Sequence, residues 1–88
     1  MRTRTRSANE WREFWRERGE RELAGLLAEA WPPARSGDAT RIATLLGSRA
    51  PAGALSAELG RMRAGRAAPD DGEDAAAAER IRTWFESA

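Results

Sequence analysis

Residues 9–33 read NEWREFWRERGERELAGLLAEAWPP, and the fold turns on this stretch. It holds two apolar sets, first Trp11, Phe14 and Trp15, then Leu23, Leu26, Leu27 and Ala30. Each set has the i, i+3, i+4 spacing of one helix face. Ser7 and Glu10 have the spacing of a capping box, so the helix begins near Ala8. Pro32 and Pro33 end it, because a residue before proline is pushed out of the α region. At about 100° per residue, the leucine set lies roughly 110° round the helix from the aromatic set. A straight α-helix does not bury both on one side. Gly19 stands between them, where a bend is sterically cheapest. The expectation is either a bend at Gly19 or an aromatic trio that faces something the leucines do not.

The rest of the chain is helical in pattern too. Asp38 is placed to cap a second helix, with Ile42, Leu45 and Leu46 on one face and Gly47 as a left-handed stop. Pro51 suits the first turn of a third helix, in which Leu55, Leu59 and Met62 follow the i, i+4, i+7 pattern and which Gly65 ends. RAAPDDGED, residues 66–74, is a polar linker. Asp70 then opens a fourth helix with Ala77, Ala78, Ile81, Trp84 and Phe85 on one side. Acidic residues fall in or near its first turn and Arg80 and Arg82 later, an order that complements the helix dipole. No segment alternates like a strand. The sequence predicts an all-α fold, a small bundle of about four helices, with residues 1–7 as a mobile basic arm and 8–88 as a single helical domain.

Composition narrows the function. All 15 basic residues of the 88 are arginine, the net charge is +1, and Cys, His and Tyr are absent. Alanine and arginine have GC-rich codons, which points to a GC-rich bacterial source. Leu, Ile and Phe together number 11, so the aliphatic core is thin and four tryptophans must supply apolar area. A domain of this size buries only roughly 60% of its unfolded surface, so self-association or a protein partner would steady it. Nothing in the cysteine usage points to an oxidising compartment. No stretch is long enough for a membrane span, and no apolar run follows the first arginines as a secretory signal requires. The expected location is the cytoplasm.

Without His, Cys, Lys or Tyr, the commonest general bases, thiol nucleophiles and Schiff-base amines are missing, and no enzyme activity is expected. Glu10, Glu13 and Glu17 lie among Arg12, Arg16 and Arg21 as solvated ion pairs. The DDGED run lacks the ligand spacing of a calcium loop, and GSRAPAG lacks the glycine-lysine pair of a phosphate loop, so neither a metal nor a cofactor is expected. Nucleic acid is the alternative partner. Residues 41–66 have part of a helix-turn-helix pattern, with Ala43 four residues before Gly47, but Gly53 and Ser56 fall where the second helix needs apolar residues. Arg49, Arg61, Arg63 and Arg66, with Arg2, Arg4 and Arg6 of the arm, are the candidate phosphate-binding residues. Charge is uneven: residues 35–66 sum to +4 and 67–88 to −4, so the two blocks can complement each other within the fold or between chains.

ELAGLLAEAWPPA, then IATLL, then AAERIRTWF resembles a group of small uncharacterised helical bacterial domains. Their pattern is a leucine-bearing helix ending in a Trp-Asp-Pro-Ile-Gly turn, a helix with Ile and paired Leu, and a closing helix with Trp. Trp31 and Pro33 match the turn, while Pro32 replaces its Asp, and Ala34 and Arg35 its Ile-Gly. The resemblance implies an all-α fold and no activity. The functional expectation is a protein-interaction or self-associating module. Its contact candidates are Trp11, Phe14, Trp15, Trp84 and Phe85, with the trio expected to join the fourth helix in one aromatic cluster, within the chain or across a homo-oligomer.

Overall fold

The computed structural model describes residues 7–66 and 72–87. Four helices make the bundle, and among the described residues there is no strand. The capping box forms as the sequence requires: the Glu10 N–H donates to Ser7 Oγ at 3.1 Å and the Ser7 N–H to Glu10 Oε1 at 2.9 Å. The first helix then runs unbroken over residues 8–30. It is α-helical over Ala8–Phe14, takes a π turn over Trp15–Gly19, and is α-helical again over Glu20–Ala30.

That π turn replaces the expected bend. Gly19 keeps ordinary helical angles, φ −60 and ψ −40, while the Glu20 N–H bonds to the carbonyl of Trp15, five residues back. Such a turn carries one residue more than an α turn. One residue is worth about 100° of rotation, nearly the offset between the two apolar sets. The extra residue therefore re-registers the helix and puts aromatics and leucines on one side. The leucines do not point elsewhere: Leu23 and Leu27 are fully buried in the common core, against which Trp11 and Trp15 also pack. Gly19 is needed for space, since a Cβ there would lie 2.8 Å from Cε2 of the Phe14 ring.

The second helix is Asp38–Gly47, the third Ala52–Ala64 and the fourth Glu73–Ser87. Their apolar stripes meet as predicted. Ile42, Leu46, Leu55, Leu59 and Ile81 are fully buried with Trp31, Leu23 and Leu27. Several end signals act differently from the expectation. Asp38 is the first helical residue and not a cap; its carboxylate turns back to accept from the Arg35 N–H at 2.6 Å, and the residue before the helix is left-handed Gly37. Gly47 remains helical, and the left-handed residue that follows is Arg49, at φ 62. What Gly47 supplies is room: a Cβ there would lie 3.1 Å from Cδ1 and Nε1 of Trp11. Pro51 precedes the third helix as its N-cap. The arm at 1–6 and the capping signal at Asp70 lie outside the described residues. No helix among the described residues is long and apolar enough to cross a membrane.

Candidate functional site

Two tryptophan-centred clusters sit in the bundle. The first joins the start of the first helix to the end of the fourth and gathers the five aromatics singled out in the sequence. Trp11 is its centre. Its ring lies 5.7 Å from Phe14, 5.8 Å from Trp15, 6.3 Å from Trp84 and 4.9 Å from Phe85, the last edge-on. Edge-on and tilted pairs at these distances are the favourable aromatic arrangements. Phe14 and Phe85 are buried, whereas Trp11, Trp15 and Trp84 are half-buried. Guanidinium groups roof the cluster, Arg18 over Phe14 at 5.0 Å and Arg82 over Phe85 at 5.8 Å. The Trp84 indole donates to Glu22 at 3.2 Å. On the side toward the second helix, Trp11, Arg12 and Trp15 with Thr40, Ala43 and Thr44 line an open notch of about 140 Å³.

The second cluster closes the opposite end and was not anticipated. Trp31, fully buried, lies between two guanidiniums, Arg63 at 5.6 Å and Arg66 at 5.7 Å from its ring. Its indole N–H donates to Asp74 Oδ1 at 2.7 Å. Arg63 donates to the same oxygen from Nε at 2.9 Å and from Nη2 at 2.8 Å, and Nη2 also reaches Glu73 at 3.5 Å. Arg66 forks onto both oxygens of Asp38, with Nη2 to Oδ1 at 2.9 Å, and also donates to the Pro33 carbonyl at 3.2 Å. The hydrogen bonds from Arg66 hold the Asp38 carboxyl below its ordinary range, against the opposing effect of burial, and the Arg35 N–H adds to them. The same pair raises Arg66 above its own ordinary value. Every buried polar side-chain atom among the described residues has a partner. The basic middle and acidic end of the chain thus complement each other within one fold.

This arrangement decides the fate of the arginines proposed for phosphate. Arg63 is only 4% exposed and Arg66 is pinned to Asp38. Arg61 is exposed but donates to Glu58 at 2.6 Å, and Glu58 also pairs with Arg41 at 2.7 Å. Hydrogen bonding from Arg61, with the charge of Arg41 behind it, holds the Glu58 carboxyl low against its burial. Arg61, Arg63 and Arg66, at and just past the end of the third helix, therefore form no common basic edge; two turn inward and one turns along the surface. Arg49 is exposed in the turn that follows the second helix. Of the DDGED acids, Glu73 and Asp74 are taken by Arg63, and Asp70 and Asp71 lie outside the described residues. Among the described residues no group of three acidic side chains is placed to hold a metal ion.

Comparison with protein-family models, with curated proteins and with solved structures finds no match to this chain.

Proposed function

We propose that this chain is a non-enzymatic interaction module that engages a protein, or a second copy of itself, through the open side of its aromatic cluster. One observation carries the reading. Trp11 and Trp15 still line an open notch after the bundle has closed its core. Large aromatics beside an arginine are the residue types that anchor protein interfaces, and Arg12 stands at the rim. The absence of His, Cys, Lys and Tyr supports the non-enzymatic part.

The test is a comparison of the wild type with Trp15→Glu in two assays, sedimentation for self-association and affinity capture with mass spectrometry for a partner. Far-ultraviolet circular dichroism checks that both are folded. The expected result is an association present in the wild type and lost in the variant. Association of equal strength in both would overturn the reading.

A further inference from the structure

A second opening, larger than the aromatic notch, lies where the first helix meets the start of the second. It is a half-open cavity of about 540 Å³, within the range of about 300–1,000 Å³ that small-molecule sites occupy. Small side chains make the room. The first helix supplies Glu20, Ala24 and Ala28, one face at i, i+4, i+8 spacing. At 1.5 Å per residue that wall is about 12 Å long. Leu27 of the buried core also borders the cavity, and Arg35 comes in from the turn between the two helices.

Glu20 and Arg35 are exposed and of opposite sign, yet they do not pair with each other. Among the described residues neither side chain has an ion-pair or hydrogen-bond partner. Unpaired charges are common on any surface; what sets these two apart is the backbone beneath them. The Arg35 N–H donates to Asp38 Oδ2 at 2.6 Å, and its carbonyl accepts from the Asp38 N–H at 3.1 Å. Asp38 is in turn held by Arg66, which also grips the Pro33 carbonyl. The turn is thus fastened to the sealed tryptophan cluster at the very residue whose guanidinium is left free. Glu20 is anchored as well, since its N–H closes the π turn on the Trp15 carbonyl. Fixed supports under free charged heads reduce what binding must spend on ordering.

The two charges together select the ligand. A simple cation suits Glu20 and is repelled by Arg35; a simple anion meets the reverse. A molecule that carries both charges, joined by a small apolar body, satisfies both and lies along the alanines. We propose that this cavity binds a small zwitterion with the chemistry of an amino acid or a short peptide with free ends. Its ammonium sits on Glu20 and its carboxylate on Arg35, whose planar guanidinium is the matching donor. The site is separate from the aromatic notch, with which it shares only Thr40 among the lining residues. It does not depend on the interaction-module reading.

The experiment titrates alanine, dialanine and trialanine into the full chain, each also with its amino end acetylated or its carboxyl end amidated. Amide NMR shifts locate the binding and give the affinity. At least one free-ended compound should bind with a dissociation constant of about 1 mM or tighter, with shifts centred on residues 20–28 and 34–40. The best of the three tells an amino-acid site from a peptide site. Blocking either end should weaken binding about tenfold, because each removes one charge-assisted contact. Glu20→Gln should lose the preference for a free amino end and keep that for a free carboxylate; Arg35→Gln should do the opposite. Both side chains are exposed, so both variants should keep the thermal midpoint of the wild type. Ala24→Leu fills the cavity and should abolish binding of every compound. No shift with any free-ended compound at about 10 mM, ten times the weakest expected constant, overturns the proposal. So does binding of blocked compounds as tight as that of free ones, or a preference for free ends that survives both Gln variants. Undiminished binding to Ala24→Leu also overturns it, since the ligand would then lie outside the cavity.

Discussion

Trp31 and Trp11 sit at opposite ends of one bundle, and the chain treats them in opposite ways. Trp31 is sealed between Arg63 and Arg66, and its N–H is spent on Asp74. Trp11 touches four other aromatics and still lines an open notch. The sealed end ties three helices and the proline turn together by directional bonds that are buried or partly buried. The open end relies on ring packing, which tolerates small shifts and leaves apolar surface for something else. A thin aliphatic core explains the pairing: one end supplies specificity to a fold short of leucine, and the other retains surface for contact.

The largest break in this contrast is Trp31→Ala. Removing a fully buried indole costs about 3–5 kcal/mol, and here it also strips two guanidiniums and a carboxylate of their neighbour. That is the size of the whole stability of a small domain, so the variant should be largely unfolded at 25 °C by circular dichroism. Arg63→Ala comes next, at about 3–4 kcal/mol in urea unfolding, because it leaves Asp74 charged and nearly buried. Adding Asp74→Ala should cost less than the sum of the two single changes, and additivity would mean that the pair is not coupled.

Acid sharpens the comparison further. Asp38 and Glu58 have ordinary values of 3.8 and 4.5, and the folded chain lowers both. Their stabilising effect is complete above those unfolded values and is lost as pH falls through the lower folded ones. Thermal midpoints should therefore hold steady above about pH 5 and fall below about pH 4. Asp38→Asn should lower the plateau and flatten the acid limb. The smallest effect belongs to the open end. Trp15 is half-buried, so Trp15→Ala should cost only about 1–2 kcal/mol, with the same slope against pH as the wild type. A loss as large as that of Trp31→Ala would mean that the two ends are not different in kind.

Much of this fold was legible. The capping box at Ser7 and the stripes through Leu23 and Leu27, Ile42 and Leu46, and Leu55, Leu59 and Met62 all follow from spacing alone. So does the meeting of the aromatic trio with Trp84 and Phe85, since two unused faces of like chemistry needed cover. The π turn was not legible, because projecting residues at a constant angle assumes that no residue is inserted. Its trace was present all the same, as an offset between two apolar sets close to the angle of one residue. The sealed cluster was missed because arginines were read as surface. Arg63 lies four residues after Leu59 on the buried stripe of the third helix, and Arg66 keeps the same spacing after Met62 just past the helix end. Asp74, three and four residues before Ala77 and Ala78, likewise belongs to the buried side of the fourth. Charges on an apolar stripe were the signal, and the opposite charges of the two chain blocks named the partners.

The two kinds of tryptophan also give the molecule an optical division of labour. With four tryptophans and no tyrosine, its near-ultraviolet fluorescence comes from indole alone. Trp11, Trp15 and Trp84 are half-buried and Trp31 is fully enclosed, so acrylamide should quench the first three and spare the last. The quenchable fraction of the light therefore reports what lands on the open end, and the protected fraction reports whether the far end is still shut. A single chain, with no label attached, can tell docking from unfolding by the colour and accessibility of its own emission.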